Sequence, residues 1–366
     1  MKVLRTILVN LFVGANIAVI LLMWLTCLST YLNPSSWPRL SLLSLTFPVF
    51  LASDLAFIVF WLIFKIRRVW IPIVGLLACG SFARDYFPLN LPSSPTGDSL
   101  RVLTFNVHGF GGADAILPDG RNAIVEYIEA SQADVICLQE SHMAKHRDSL
   151  DLKLQALGYE HYHHATVSFY SRLHILWADS LALPSRTNSG VVAHLLYEGD
   201  TILLINNHFE SNHFTPTMRE AYVDAIKQST HNAPSRLMGD SLRRELSPIV
   251  RLLSEAAPYR AAQADSISNI VSRWAPRPVI LCGDFNETPV SYPHRLLTRT
   301  LTSAFVQSGN GLGITFHARG FPVRIDHVLF SGDVWQSHHT VIDNSFKYSD
   351  HLPLSTILTR KTPKKR

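Results

Sequence analysis

The first part of the chain is almost continuously apolar. Residues 6–28 contain no charged side chain, and residues 43–64 contain one, Asp54. Each run is long enough for a helix to cross the hydrocarbon core of a bilayer, which takes ~20 residues. A cleaved signal peptide explains the first run poorly, because the run is too long and more apolar runs follow. The pattern predicts an all-α transmembrane region over residues 1–88.

A third apolar run, residues 69–83, is shorter than the other two. It either crosses the membrane as a third helix, extended through Tyr86 and Phe87, or lies in the membrane interface. The transmembrane region therefore has two or three helices. That number decides on which side of the membrane the rest of the chain lies.

The Lys and Arg residues predict an orientation, because positively charged loops stay in the cytoplasm. The loop between the first two runs contains only Arg39. Positive residues lie before the first run and between the second and third: Lys2, Arg5, Lys65, Arg67 and Arg68. We therefore predict that the protein lies in the inner membrane of a bacterium, with its N-terminus in the cytoplasm. If the third run crosses, as we expect, the rest of the chain is non-cytoplasmic; if it does not, the rest is cytoplasmic.

After a Pro- and Ser-rich linker, residues 89–99, short apolar runs alternate with segments of helical periodicity. Strands are predicted over residues 100–110, 133–141, 167–172, 173–183, 190–199, 200–211, 278–287, 313–318, 323–332, 335–343 and 350–359. Helices are predicted over residues 120–131, 149–158, 217–228, 241–256 and 259–274. This mixture of hairpins and helical crossovers predicts an α/β sandwich, with two sheets face to face and helices outside.

Composition separates the same two parts of the chain. All 17 His follow residue 100, and only 10 of the 61 charged residues precede it, so the net charge of +5 describes neither part. The four Cys lie in apolar runs or predicted strands, without the spacing of a zinc site. A domain is predicted over residues 100–360. The basic tail, residues 361–366, is either simply solvated or contacts anionic lipid or nucleic acid.

Polar residues recur where the predicted strands begin or end. They are Asn106, Glu140, His208, Glu210, Asp284, Asn286, Asp326, His327, Asp350 and His351. Each alone is explained by a turn or a cap, but strand ends at one rim of a sandwich form a common cleft. Several carboxylates in one cleft repel each other unless a cation is present. Carboxylate and carboxamide oxygens suit Mg²⁺ or Mn²⁺, and a His beside an Asp suits acid–base work, so the set indicates metal-assisted displacement at phosphorus.

Six motifs containing these residues follow one another in the order of a known family. They are "LTFNVHG", "DVICLQES", "NNHFES", "LCGDFNETP", "RIDHVLF" and "YSDHLPL". Over residues 100–360 the chain resembles the endonuclease/exonuclease/phosphatase superfamily. The resemblance implies a four-layer α/β sandwich, in which two packed mixed sheets are flanked by helices, and a divalent-metal phosphoesterase.

The resemblance also implies a role for each matching residue. The metal ligands would be Glu140, as the main one, with Asn106 and Asp350. The catalytic residues would be His208, Asp284, Asn286, Asp326 and His351. Within that set Asp284 and Asn286 would orient the attacking water and the phosphate, His351 would hold the scissile phosphate or stabilise its charge, and Asp326 would orient His351 or support the metal site. The substrate would contact Asn106, Arg172, His208 and Asn286.

Three features depart from the pattern or leave it open. AP endonucleases use a tyrosine where this chain has His208, which disfavours the DNA-repair branch. Arg172 stands where many members have a Ser-Arg pair, but a surface arginine explains it equally well. Residues 212–258 are longer than the usual connection, and serve as a lid, a substrate loop, a membrane-contacting element or simple decoration.

The sequence therefore predicts a membrane-anchored phosphodiesterase or phosphatase that depends on Mg²⁺ or Mn²⁺ and uses an activated water. Its substrate would be a nucleic acid, a lipid head group or a small phosphoester, and no protein partner is predicted. A membrane-bound nuclease acting on DNA or RNA is the alternative, although neither an aromatic stacking platform nor a dense basic groove is apparent. A non-enzymatic membrane protein is disfavoured because every motif keeps a chemically competent residue.

Overall fold

The computed structural model describes residues 2–361, except residues 216, 219, 222, 225–235 and 319–321. Most of the basic tail and part of the predicted helix over residues 217–228 lie outside the described residues.

The N-terminal region forms a helical module, residues 2–87. Its helices are α1 Lys2–Ser29, α2 Pro38–Ser41, α3 Phe47–Phe64, α4 Trp70–Ala78 and α5 Gly80–Tyr86. Two stretches, Val3–Ser29 and Pro38–Phe64, are long and apolar enough to cross a membrane, whereas α4 and α5 are bent by 71° and form at most one broken span. Outward-facing side chains such as Leu11, 68% exposed, are apolar.

The helices of the module pack through polar and small residues. The Asn16 Nδ2 donates to Asp54 Oδ1 at 3.2 Å, and the Trp61 Nε1 donates to Asn16 Oδ1 at 3.0 Å. Gly75 lets α4 approach α1, because a Cβ there would lie 2.6 Å from Ile20. Asp54 is therefore part of a buried contact between α1 and α3. This contact gives a structural role to an acidic residue, a type that is costly within a membrane span.

The rest of the chain forms an α/β domain, residues 99–361. Its strands are β1 Ser99–Asn106, β2 Val135–Gln139, β3 Glu160–His164, β4 Val167–Ser171, β5 Ile175–Leu181, β6 Gly190–Tyr197, β7 Asp200–His208, β8 Val279–Asp284, β9 Thr302–Ser303, β10 Asp326–Phe330, β11 Trp335–Ile342 and β12 Leu354–Arg360. Its helices are α6 Ala123–Ser131, α7 Ala144–Ala156, α8 Arg236–Trp274, α9 Tyr292–Leu297 and α10 Ala304–Ser308.

The strands form two mixed six-stranded sheets, with orders β11-β12-β1-β2-β4-β3 and β5-β6-β7-β8-β10-β9. In each sheet the two central strands are parallel, β1 with β2 and β7 with β8, and the other pairs are antiparallel. Each parallel pair needs a crossover connection, and α6 and α8 lie in those connections. The carboxyl ends of four buried strands therefore point to one rim of the sandwich.

Three apolar cores separate four layers. The core between the sheets contains Val102, Phe169, Leu204 and Trp335 among its buried side chains. A second core joins the first sheet to α6 and α7, and a third joins the second sheet to α8. The predicted four-layer α/β sandwich is confirmed.

Several predicted elements differ from the observed ones. Residues 241–256 and 259–274 belong to one helix, α8, which continues through Pro248 and Pro258. Residues 313–318 form isolated bridges through Phe316 rather than a strand. Strand β3 was not predicted because its sequence, "EHYHH", is polar on both faces, and neither face is fully buried. Its backbone pairing with β4 decides its structure instead.

The α/β domain packs against one end of the helical module, where α1 ends and α3 begins. The Arg295 Nε donates to the Thr30 carbonyl at 2.9 Å, and its guanidinium lies 3.8 Å from the Tyr31 ring centroid. Val290 joins a buried cluster with Met23 and Phe47. The basic residues 65–68 follow the other end of α3, so the domain and this basic loop lie at opposite ends of that helix.

Candidate active site

The site forms where the central strands of both sheets end. Asn106 ends β1, Glu140 follows β2, and His208 and Asp284 end the parallel strands β7 and β8. Because β10 runs antiparallel to β8 with Asp326 opposite Asp284, it contributes its first residue to the same rim. Likewise β12 runs antiparallel to β1, so the segment that precedes it, with Asp350 and His351, also lies there.

Asn106 connects the two sheets at the centre of the site. Its buried Nδ2 donates to Glu140 Oε1 at 3.1 Å and to Asp284 Oδ2 at 3.0 Å. Below it, Gln139 Nε2 donates to Asn206 Oδ1 at 2.7 Å across the inter-sheet core. These buried hydrogen bonds fix the distance between the strand ends that carry the carboxylates.

His351 lies between two carboxylates. Its Nδ1 is 2.8 Å from Asp326 Oδ2, and its Nε2 is 3.6 Å from Asp284 Oδ2. Burial alone would lower the pKa of His351, but the charges of Asp326 and Asp284 outweigh it and raise the pKa to about 10. The ring is therefore a buried imidazolium, and Asp326 holds it in one orientation.

The pKa values of Asp284 and Glu140 are shifted in opposite directions. Burial raises the pKa of Asp284, and the neighbouring charge of Asp326 raises it further. Burial would also raise the pKa of Glu140, but contact with His108 and the charge of His208 lower it to about 2. Glu140 is thus an anion, and Asp284 is the more basic of the two carboxylates.

His208 and Asn286 lie beside Asp284 and complete this side of the site. His208 Nε2 lies 3.5 Å from Asp284 Oδ2 and 4.0 Å from Glu140 Oε1. The Asn286 amide N–H donates to Asp284 Oδ1 at 2.8 Å, and its Nδ2 donates to the Phe209 carbonyl at 3.1 Å. The structure therefore brings together eight predicted residues: Asn106, Glu140, His208, Asp284, Asn286, Asp326, Asp350 and His351.

Sequence reasoning missed His108 and Ser349. His108 Nδ1 lies 3.4 Å from both Glu140 Oε2 and Asp350 Oδ1, and contact with Glu140 raises the pKa of His108. Ser349 Oγ donates to the Asn106 carbonyl at 2.9 Å and accepts from the His351 amide at 3.1 Å. The signal was available, because His108 stands two positions after Asn106 and Ser349 two positions before His351.

Three residues of the site have left-handed backbone conformations, which are uncommon for residues other than glycine. Their φ angles are 44° at His108, 54° at Glu140 and 50° at Asn286. Such conformations cost about 1–3 kcal/mol each and cluster at functional sites. At Glu140 the turn directly follows β2 and places the carboxylate over Asn106.

The donor chemistry near Glu140 and Asp350 suits a divalent cation. Glu140 Oε2 and Asp350 Oδ1 each lie 3.4 Å from His108 Nδ1. The Asp350 Oδ1 is buried and has no hydrogen-bond partner among the described residues. A buried carboxylate oxygen without a donor is costly, and an oxygen-rich site of this kind suits Mg²⁺ or Mn²⁺.

One cluster in the site is close enough to hold a metal by proximity alone. Asp284, Asp326 and His351 offer atoms within 4.8 Å of one another. However, the hydrogen bond between His351 Nδ1 and Asp326 uses the ring nitrogen nearest that carboxylate. We interpret this cluster as a positioned imidazolium rather than as the metal site.

The structure does not bring Arg172 to the site, which corrects its predicted contact with substrate. Strand β4 runs antiparallel to β2, with Val167 opposite Gln139 and Ser171 opposite Val135. Arg172 therefore follows β4 at the far end of the sheet. Its guanidinium lies 4.8 Å from the Tyr159 ring centroid and 3.7 Å from Asp134 Oδ1.

Glu210 and Glu287 have structural partners. Buried Glu210 accepts from Arg186 Nε at 2.7 Å and from Ser185 Oγ at 2.7 Å. Glu287 accepts from Arg260 Nε at 2.7 Å. Both carboxylates fix the loops around the site, and their pairs explain why these loop residues are acidic.

A cavity of about 480 Å³ opens on these residues. Its polar side includes His108, Glu140, His208, Asp284 and Asp350. The volume is that of a small-molecule binding site, and perturbed carboxylates in such a cavity are typical of an active site.

Comparison with known families agrees with this geometry. Residues 103–351 match the model of the Endonuclease/Exonuclease/phosphatase family. The chain belongs to this family. Residues 9–86 match a separate model, described as a domain of unknown function. The comparison with curated proteins gives no match.

Solved structures similar to this chain have low sequence identity to it. The human Nocturnin catalytic domain with bound sulfate is 16% identical with a TM-score of 0.51, and the match covers 72% of this chain and 94% of that chain. Sphingomyelinase C from Streptomyces griseocarneus is 15% identical with a TM-score of 0.46, over 71% of this chain and 99% of that chain. An endonuclease/exonuclease/phosphatase from Beutenbergia cavernae is 17% identical with a TM-score of 0.48, over 72% of each chain.

Proposed function

We propose that this family member is a membrane-anchored, divalent-metal-dependent phosphoester hydrolase in which water attacks phosphorus in line with the leaving group. One observation carries the proposal. Glu140 and Asp284, from different sheets, share the Asn106 amide at 3.1 and 3.0 Å in a cavity that also contains His208 and His351.

Glu140 and Asp350 would hold the cation, with Asn106 beside them. A bound Mg²⁺ or Mn²⁺ would neutralise charge on the phosphoryl oxygens. The low pKa of Glu140 keeps its carboxylate charged over the whole physiological range, as a metal ligand must be. The strained turn at Glu140 and the hydrogen bond from Asn106 hold that carboxylate in place before a cation arrives.

Asp284 is the residue best placed to accept a proton from the attacking water. Its raised pKa makes it a better base than an ordinary carboxylate, and the Asn286 amide fixes its other oxygen. The imidazolium of His351 would stabilise the negative charge that develops on the phosphoryl oxygens, and Asp326 would keep that ring oriented. His208 and Asn286 would contact the phosphate from the same wall.

We place the catalytic domain on the non-cytoplasmic side of the membrane. The domain packs where α1 ends and α3 begins, and the basic residues Lys65, Arg67 and Arg68 follow the other end of α3. Positive loops face the cytoplasm, so this packing supports the opposite side for the domain. The broken pair α4 and α5 would return the chain across the membrane.

Hydrolysis of bis-p-nitrophenyl phosphate by the purified full-length chain tests the proposed chemistry. We expect activity with Mg²⁺, loss with EDTA, and a decrease of about 10²–10⁴-fold in kcat for Asp284→Asn and for His351→Gln. Asp333→Asn, in the exposed turn between β10 and β11, is the matched control. Activity that persists in EDTA, or in either site variant, would contradict the proposal.

Labelling with a membrane-impermeant maleimide tests the side of the membrane. The four native cysteines are buried, so Asp333→Cys in the domain and Arg67→Cys in the basic loop provide unique exposed thiols. In spheroplasts we expect labelling of Asp333→Cys before lysis and of Arg67→Cys only after it. The reverse pattern would place the domain in the cytoplasm.

A further inference from the structure

We propose that the substrate is a lipid phosphoester, whose hydrocarbon chain lies in an apolar half of the active-site cavity that the catalytic domain and the helical module form together. This inference rests on the proposed phosphoester hydrolase and adds the substrate class. The reaction remains a hydrolysis: the oxygen of water bonds to phosphorus, one P–O ester bond breaks, and the leaving alcohol takes up a proton.

The cavity has two unlike walls. One contains the carboxylates and imidazoles of the site. The other is apolar, and the helical module contributes to it through Leu45 and Pro48, while α8 contributes Ile249 and Leu253. Phe316, whose ring centroid lies 4.9 Å from that of His351, is where the two walls meet. A phosphoester held at His351 therefore has an apolar surface directly beside it.

The charge of the cavity argues against a polyanion. No Lys or Arg among the described residues lines it, and histidines are its only basic side chains within that set. Proteins that bind nucleic acid neutralise several phosphates with Lys and Arg along the backbone. An apolar wall instead strengthens binding when it buries apolar surface of the substrate. It therefore selects a substrate with a single phosphoryl group and a hydrocarbon part.

The apolar wall includes residues of a candidate membrane span. Leu45 and Pro48 lie within the second candidate span, Pro38–Phe64, and Tyr31 and Trp37 are exposed in the connection that precedes it. Tyr and Trp are enriched where a span leaves the bilayer. Val49, next to Pro48, is 62% exposed. A lipid could therefore place its head group in the site while its chain stays close to the bilayer.

A series of alkyl p-nitrophenyl phosphates tests this inference, because every member has the same scissile bond and leaving group. We would measure kcat/KM with Mg²⁺ for the methyl, butyl and octyl esters, below micellar concentrations, using the full-length chain in nanodiscs. The variant Leu253→Asn makes the wall polar, and Leu45→Trp fills it from the side of the module. Val250→Asn, exposed on the same helix and outside the cavity, is the matched control.

We expect kcat/KM to rise with chain length in the wild type and in Val250→Asn. The octyl-to-methyl ratio should fall about four- to fifteenfold in Leu253→Asn, the effect of one or two buried methylene groups at ~0.8 kcal/mol each. Leu45→Trp should also lower the ratio, and it serves as the test if Leu253→Asn does not fold. Partition of the esters into the nanodisc affects all variants equally, so it cancels in this comparison.

Two results would overturn the inference while leaving the proposed function intact. One is hydrolysis of all three esters with the same octyl-to-methyl ratio in Leu253→Asn, Leu45→Trp and Val250→Asn. The other is faster hydrolysis of single-stranded DNA or RNA than of the octyl ester. If the wild type hydrolyses none of the esters with Mg²⁺ or Mn²⁺, the proposed function itself is contradicted.

Discussion

Asp326 acts on the site through His351. Its Oδ2 lies 2.8 Å from His351 Nδ1, so the other ring nitrogen points to Asp284 at 3.6 Å. The Asp326 amide is itself held by Thr315 Oγ1 at 3.0 Å. This chain of contacts keeps the imidazolium in one orientation, as the buried carboxylate does in other His–Asp pairs.

Replacing Asp326 by Asn should therefore impair the chemical step more than substrate binding. We expect kcat for bis-p-nitrophenyl phosphate to fall about 10²-fold or more, because an amide does not stabilise the imidazolium as a carboxylate does. KM should change far less, and the control Asp333→Asn should behave as the wild type. Equal kcat values for Asp326→Asn and the control would show that His351 does not need Asp326.

At the scale of elements, α8 fixes the loops that follow β7 and β8. Its Arg260 is buried, and its Nη1 donates to the Glu210 carbonyl at 3.1 Å and to Asn212 Oδ1 at 2.7 Å. The same guanidinium pairs with Glu287 through Nε at 2.7 Å. One side chain thus connects the loop after His208 with the loop after Asn286.

Removing that side chain should destabilise the α/β domain. Arg260→Leu leaves the Glu287 carboxylate, whose side chain is only 11% exposed, without its partner. Breaking a buried ion pair in this way typically costs about 3–5 kcal/mol in the free energy of unfolding. Arg251→Leu, on the exposed face of α8, should cost less than about 1 kcal/mol. Chemical unfolding of the purified chain measures both, and the double variant Arg260→Leu with Glu287→Leu should recover part of the loss. Similar losses for Arg251→Leu and Arg260→Leu would contradict the assignment.

At the scale of the whole molecule, two buried histidines connect stability to pH. Burial lowers the pKa of His294 to about 3 and that of His327 well below its ordinary value, and their ring centroids lie 4.8 Å apart. In the unfolded chain both bind protons near pH 6.5. Between about pH 6.5 and pH 3 the unfolded state therefore holds more protons, so the free energy of unfolding falls as pH falls.

The His294→Phe variant should lose its share of this acid sensitivity. Each such group contributes up to about 1.4 kcal/mol per pH unit within its window, so the slope of stability against pH should become shallower below pH 6. His164→Gln, an exposed substitution in β3, is the control. Unfolding midpoints measured from pH 7 to pH 4 decide the matter. Identical slopes for His294→Phe and the wild type would refute this cause.

Much of the fold could be predicted because buried strands leave a clear pattern. The runs that became β1, β2, β7 and β8 are apolar and end in Asn106, Glu140, His208 and Asp284, so their shared rim could be predicted. Strand β3 could not be predicted, because its polar sequence is held by pairing with β4. The joined helix α8 was also missed, because Pro258 suggested a break that packing against the second sheet overrides.

The site residues at the ends of strands could be predicted from the sequence. Those that reach the site only because distant segments converge there were missed. His108 is an exposed residue after a strand, and its position two residues after Asn106 was its one signal in the sequence. Its distances to Glu140 and Asp350 show that it belongs to the site. Arg172 failed for a related reason, since antiparallel pairing places the end of β4 away from the rim. The apolar wall with Leu45 and Leu253 requires contact between distant segments, which no local pattern reports.

Binding of Mn²⁺ to the metal-free, full-length chain, followed by electron paramagnetic resonance together with hydrolysis, tests the central claim most directly. We predict that the wild type binds Mn²⁺ at the cavity and regains hydrolysis over the same range of concentration, whereas Glu140→Gln loses both. Hydrolysis without any added cation, or unchanged Mn²⁺ binding in Glu140→Gln, would contradict the account.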